Sequence, residues 1–244
     1  MQASEEMIKN ARERIIYALD VSGSVAAMPT IKTIAPLVGI IKTGLELITS
    51  GEAPEVIKAI QGMGGQVFYD GKFDDIPNTV GRATKIAAGF GVKMINVHAS
   101  AGKESIKAAI ANKGKSLILG VTILTSIDET ECKSIFGDTP GNKVVQFAEM
   151  LVDLGADGII CSPKELVLLG KIEKFNHLLK ITPGVRPVWA ETGDQKRVMT
   201  PADAIKAGAT HLVIGRPISS PPKEIGSPTN AAYLIAKEIA EAMA

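Results

Sequence analysis

Four ionisable residues stand within six positions of each other in this chain: Asp70, Lys72, Asp74 and Asp75, inside Gln66-Val-Phe-Tyr-Asp-Gly-Lys-Phe-Asp-Asp-Ile-Pro-Asn-Thr-Val80. Opposite charges this close favour each other's ionised forms. An ammonium held between carboxylates is suited to giving a proton to a carbanion as it develops. A solvated loop also carries such charges idly, and for an isolated Asp-Gly-Lys that is the ordinary reading. The position of the stretch argues otherwise. Gln66–Tyr69 has the β-branched and aromatic composition of a strand. Pro77 suits the first turn of a helix, where its missing N–H costs little. The charges therefore fall at the carboxyl end of a strand, where α/β barrels hold their chemistry.

The rest of the chain supplies elements able to position them. Apolar runs of strand length recur at Ile15–Leu19, Leu37–Ile41, Val67–Tyr69, Met94–Val97, Leu117–Leu124, Gly158–Ile160, Leu179–Thr182 and Leu212–Ile214. They are continuous rather than alternating, as strands covered on both faces are. Helical patterns lie between them, at Ala53–Gln61, Thr79–Ala88, Lys103–Asn112, Lys143–Leu154, Pro163–Phe175 and Pro201–Ala207, with Asn230–Met243 closing the chain. Such alternation predicts a (β/α)₈ barrel spanning residues 1–244 as one domain. A first helix near Glu5–Arg12 would cap its bottom. In this register Asp20, Lys42, Asp70, His98, Thr125, Ser126 and Arg216 each follow an apolar run and converge on one mouth. Any one of them alone fits a turn or a cap; several together, with both signs of charge, do not. Two connections, Ser126–Gly141 and Gly184–Thr200, are long and read as lid candidates. The segment after the last strand, Gly215-Arg-Pro-Ile-Ser-Ser-Pro-Pro, stands where barrels commonly bind phosphate. There Arg216 supplies a guanidinium fork and the glycine an open backbone.

Bulk properties exclude several classes. In 244 residues, 27 Lys and Arg stand against 26 Asp and Glu, a formal charge of +1. Neither nucleic acid nor a membrane surface finds a basic field here. No apolar run approaches the roughly 18 residues of a spanning helix. The charged start of the chain lacks the apolar core of a signal peptide. Cys132 and Cys161 form no CxxC pair, and reduced thiols in the cytoplasm are the expectation. Gly114-Lys-Ser116 imitates the end of a P-loop but closes a helix instead of opening one. There is no GxGxxG, and His98, His177 and His211 lack metal-ligand spacing. For His98 a structural role is the better reading.

Taken together, these residues resemble the orotidine 5′-phosphate decarboxylase family. Asp70-Gly-Lys-Phe-Asp-Asp-Ile-Pro-Asn-Thr79 is similar to its signature, Asp-x-Lys-x-x-Asp-Ile-Pro-x-Thr. The resemblance continues through Ala18-Leu-Asp20, Ile41-Lys-Thr-Gly44, Leu124-Thr-Ser126, Thr182-Pro-Gly-Val-Arg-Pro187, Gly193-Asp-Gln-Lys-Arg197 and Val213-Ile-Gly-Arg216. Gly71 and Asp74 depart from many relatives, which carry a large apolar residue and a histidine there.

The resemblance implies a cofactor-free and metal-free lyase converting orotidine 5′-phosphate to uridine 5′-phosphate and carbon dioxide. It implies Lys72, Asp70 and Asp75 as the catalytic residues. Substrate contacts implied are Asp20, Lys42 and Thr79 at the ribose, Thr125 and Ser126 at the pyrimidine edge, and Ile76 without an assigned subsite. Arg186, Gln195, Gly215 and Arg216 are implied at the phosphate. It further implies a homodimer whose sites are shared, Asp75 and Thr79 entering the partner's mouth. Three alternatives stay open: a Mg²⁺-dependent barrel acting on sugar phosphates, a non-catalytic nucleotide-binding barrel, and a structural subunit.

Overall fold

The computed structural model describes residues 3–190 and 199–244. Eight parallel strands close in sequence order into one barrel: β1 Ile15–Leu19, β2 Ile40–Thr43, β3 Gln66–Phe73, β4 Met94–His98, β5 Leu117–Val121, β6 Gly158–Ile160, β7 Leu179–Thr182 and β8 His211–Ile214. Side chains alternate along each strand. One set (Ile16, Ile40, Phe68, Met94, Leu119 and Ile181) meets inside the barrel as a compact apolar plug. The other set, including Ile15, Tyr17, Ile41, Val67 and Ile95, packs beneath the helices in the larger core. Each fully buried side chain of this size is worth roughly 1.5–3 kcal/mol relative to exposure. The plug fills the lower barrel, so polar side chains higher on the same faces emerge at the mouth.

The N-terminal helix Glu5–Arg12 begins at Ser4, whose side chain accepts the Met7 N–H, and buries Ile8 and Ala11. The turn after it crosses the amino ends of the strands: Gly39 N–H donates to Arg12 O and Leu212 N–H to Arg14 O, each at 2.8 Å. Gly39 is required there, because a Cβ would lie 2.6 Å from the Glu13 backbone.

Element boundaries differ from the sequence reading in instructive ways. β2 runs Ile40–Thr43, with Leu37 in a preceding 3₁₀ turn, so Lys42 lies within the strand. β5 ends at Val121, short of Leu124. The connection Ser126–Gly141 contains a helix, Glu129–Phe136, opened by Asp128 accepting the Glu131 N–H and closed by left-handed Gly137 (φ 77°). Asp-x-x-Glu is a capping-box pattern, so the signal was present. Pro163–Phe175 is one turn of 3₁₀ helix, a five-residue α-helix at Leu166–Gly170 and another 3₁₀ turn. Ser24–Ile34 is helical despite Pro29 and several β-branched residues, which hid it from pattern reading.

At the amino end of β8, burial together with Arg14 and Lys93 pushes the His211 imidazole down to about 4 from 6.5. Between those values the unfolded chain binds the proton and the folded chain does not, so stability falls as pH drops through that window. The loss is at most about 3 kcal/mol. Urea unfolding at about pH 7.5 and about pH 4.5 should show His211→Asn losing less stability than the parent on acidification. Equal losses would reject the assignment.

Candidate active site

Strand alternation decides which polar residues face the mouth. Two positions beyond the interior residues Ile40, Phe68 and Met94 come Lys42, Asp70 and Asn96. Lys42 Nζ lies 3.2 Å from Asp20 Oδ1 and 3.1 Å from Asp70 Oδ2. Lys72 Nζ lies 2.8 Å from the same Asp70 Oδ2. The other Asp70 oxygen accepts from Asn96 Nδ2 at 2.6 Å. The result is a linear array of alternating charge, Asp20–Lys42–Asp70–Lys72, with the Asp70 carboxylate at its buried centre.

Asp70 is 5% exposed. Burial alone would raise its pKa, but Lys42, Lys72 and the Asn96 hydrogen bond outweigh it and hold the carboxyl below its usual range. Lys42 shows the converse balance. Burial disfavours its charge, and Asp70 and Asp20 more than restore it, so its pKa is raised. Gly44 makes room for this pair, since a Cβ there would come within 3.1 Å of Lys42 Nζ.

β3 does not end at Tyr69, as its composition suggested, but runs on through Phe73 with a bulge. Tyr69 pairs with Ile95 and Phe73 with Val97, so Asp70, Gly71 and Lys72 together stand opposite Asn96. Lys72 has φ 47°, the one positive value at a non-glycine among the described residues. Its backbone N–H donates to Asn96 Oδ1 at 2.7 Å. Asn96 was not singled out from sequence. Its signal was a lone polar residue in the apolar run Met94–Val97, on the inward face.

Three members of the array, Lys42, Asp70 and Lys72, line a cavity of about 210 Å³. Lys42, Asp70, Lys72 and Thr125 form its polar wall; Phe68, Val121, Ile160 and Val213 contribute to the apolar one. A second cavity, of about 320 Å³, is lined by Arg186, Arg216, Trp189 and Ser220 among others. Val213 and Arg216 lie three residues apart at the end of β8, so the two cavities meet the same strand end. Gly215 opens the short helix Arg216–Ser219. Burial, and then the neighbouring Arg216, lowers the pKa of Arg186. Two guanidiniums that repel each other are relieved by an anion between them. Arg186 N–H donates to Met199 O at 3.0 Å, and a bridge joins Val185 to Met199. Gln195 lies outside the described residues.

A family model described as orotidine 5′-phosphate decarboxylase / HUMPS family matches residues 13–225. The chain belongs to this family. It is 38% identical over 247 residues to an orotidine 5′-phosphate decarboxylase of Moorella thermoacetica, covering 96% of each chain. It is 42% identical over 226 residues to one from Anaeromyxobacter sp. (strain K), covering 92% of this chain and 97% of the relative. A crystal structure of the Lactobacillus acidophilus orotidine 5′-phosphate decarboxylase superposes with TM-score 0.79 at 31% identity, covering 92% of this chain and 98% of that one.

The family signature runs from Asp70 to Thr79, yet only part of it reaches the cavity of its own chain. Asp75, Ile76 and Thr79 are exposed, Ile76 by 66%. Asp75 Oδ1 accepts the Ile76 N–H, and its carbonyl accepts the Ser105 hydroxyl, both at 2.7 Å. Asp74 is exposed and accepts from Ser100 at 3.3 Å. Ser126 is exposed beside half-buried Thr125. His98 is half-buried at the end of β4, its pKa lowered chiefly by burial while Asp74 opposes the shift.

The backbone at Lys72 yields a test. A left-handed conformation costs a residue with a Cβ roughly 1–2 kcal/mol, and glycine nothing. Lys72→Ala and Lys72→Gly remove the same charge, so Lys72→Gly should be the more stable by about 1 kcal/mol, the reverse of the usual order within a strand. Denaturant midpoints decide it. Lys72→Ala as the more stable variant would mean the residue is not held at positive φ.

Proposed function

We propose that this chain decarboxylates orotidine 5′-phosphate to uridine 5′-phosphate in pyrimidine nucleotide synthesis. The observation that carries the reading is the Asp20–Lys42–Asp70–Lys72 array, whose last three members stand on the wall of a cavity that neighbours a two-arginine pocket.

The chemistry asks for charge placed in advance. When the bond from pyrimidine C6 to its carboxylate breaks, both electrons stay on C6 in an sp² orbital that the ring π-system cannot delocalise, and carbon dioxide leaves. An ammonium beside C6 stabilises that pair and then transfers a proton to it, forming the C6–H bond; the amine regains a proton from solvent. We assign this role to Lys72. Asp70 remains ionised because of its depressed pKa, orients Lys72 at 2.8 Å and faces the departing carboxylate. The apolar wall suits uncharged carbon dioxide. Asp20 and Lys42 serve the ribose, Thr125 and Ser126 the pyrimidine edge, and Arg186, Gln195, Gly215 and Arg216 the phosphate.

A metal-assisted reaction on sugar phosphates is the weaker reading, since relatives at 38% and 42% identity across almost the whole chain carry the decarboxylase name. The deciding measurement is loss of orotidine 5′-phosphate absorbance with and without a chelator. Lys72→Ala should abolish turnover while product binding persists, because the ammonium matters most once C6 carries charge. Turnover within about tenfold of the parent would remove Lys72 from the mechanism.

We further propose a cytoplasmic homodimer in which Asp75, Ile76 and Thr79 complete the partner's site. Their exposure on the segment leaving the mouth supports this, as does the engagement of Asp75 Oδ1 with the Ile76 N–H of its own segment. In an isologous dimer each chain lends what it receives. Lys72→Ala and Asp75→Asn proteins, each nearly inactive, should regain about a quarter of native activity after random subunit exchange, because half the dimers are mixed and half their sites intact. Proven exchange with no recovery would place Asp75 in its own chain's site.

A further inference from the structure

Asn96 is fully buried and uses both ends of its carboxamide on the residues assigned above: Oδ1 accepts the Lys72 N–H at 2.7 Å, and Nδ2 donates to Asp70 Oδ1 at 2.6 Å. It is the single β4 residue facing the three-residue bulge Asp70–Lys72, between the paired positions Ile95 and Val97. In a regular parallel ladder the Lys72 N–H would bond to backbone. Here a side chain takes over that acceptor role, at the residue whose backbone is least favourable.

The chemistry of the position is restrictive. It must present an acceptor to an N–H and, a few ångströms away, a donor to a carboxylate. A carboxamide does both at once, whereas an ionised carboxyl only accepts and an aliphatic side chain does neither. The amide orientation follows from the same logic, since its flipped form would set donor against donor and acceptor against acceptor. With Oδ1 of Asp70 held by Asn96, its Oδ2 is left to face both Lys42 and Lys72.

We propose that Asn96 is a positioning residue for the decarboxylation: it locks the left-handed backbone of Lys72 and the orientation of the Asp70 carboxylate, so that the ammonium stands ready where C6 becomes a carbanion. It touches neither substrate nor the reacting atoms. The inference rests on the decarboxylase reading and deepens it.

Two variants test it. Asn96→Ala removes both hydrogen bonds and should lower kcat by about a hundredfold, the scale of a misplaced reactive group, while KM and uridine 5′-phosphate affinity change by less than about threefold. The same protein should lose, in parallel, the exchange of the product's C6 hydrogen for deuterium in D₂O, which is the protonation step run backwards. Asn96→Asp keeps the shape but sets a carboxylate against Asp70. One of two carboxyls this close takes up a proton readily, and the protonated acid restores a donor and an acceptor. Its kcat should therefore rise relative to the parent's as pH falls from about 8 to about 5. Product affinity and melting temperature report folding for both, and Asn96→Asp, being isosteric, carries the test should Asn96→Ala unfold. Parent-like kcat in a folded variant, or an Asn96→Asp profile parallel to the parent's, would overturn the proposal while leaving the reaction assigned. Failure of the parent itself to consume orotidine 5′-phosphate would overturn both.

Discussion

The Asp70 carboxylate is the constraint on which the rest of the mouth depends. Burying a carboxylate costs several kcal/mol unless its charge and lone pairs are met. Here they are met by two ammoniums on one oxygen and an amide on the other. Those partners come from β2, from β3 itself and from β4, so three adjacent strands must hold their register for one ion to be tolerable. Removing any single partner leaves the others with unbalanced charge or an orphaned hydrogen-bonding group. The site is therefore as cooperative as the barrel that carries it.

The mouth divides its labour by strand. β2, β3 and the residue directly after β1 carry the alternating charges, and β4 adds the neutral Asn96. β5 and β6 contribute Val121 and Ile160 to the apolar wall, and Val213 on β8 closes it. The segments after β7 and β8 bring Arg186 and Arg216. A ligand spanning the two cavities would meet an ordered ion array at one end and an anion site at the other. Binding energy gathered at the distant anion end can then be used to hold the reacting end in place. This distribution follows from barrel closure, because β8 pairs with β1 through Tyr17 and Ile214 and sets the arginine segment beside the strand that leads to Asp20.

Much of this was legible in the sequence, and the illegible parts have physical reasons. Continuous apolar runs marked all eight strands, because strands covered on both faces need no alternation. Charged residues directly after those runs marked the mouth. Helices came through where they are amphipathic and capped, as at Lys143–Leu154, which lies in the helix Pro140–Leu154 opened by Thr139 and closed by left-handed Gly155; Ser24–Ile34, with its internal proline, did not. The bulge in β3 was invisible because register belongs to a pair of strands, not to either alone. Asn96 escaped for the same reason: a polar residue in an apolar run becomes meaningful only when its opposite number is known to have left the ladder.

The signature itself shows how contiguity in sequence misleads about contiguity in space. Between Asp70, which is 5% exposed, and Ile76, which is 66% exposed, the chain passes from the barrel interior to the outer surface in six residues. The bulge aims Lys72 inward, and the extended Ile76 then opens the helix Pro77–Gly89. Pro77 helps to fix that exit, since proline disfavours helical geometry in the residue before it. The first half of the motif is thus bound into an ion array while the second half is displayed outward. Residues joined by one short motif need not serve one cavity. The covalent link leaves only Phe73 and Asp74 between the displayed half and a lysine held in an unfavourable conformation.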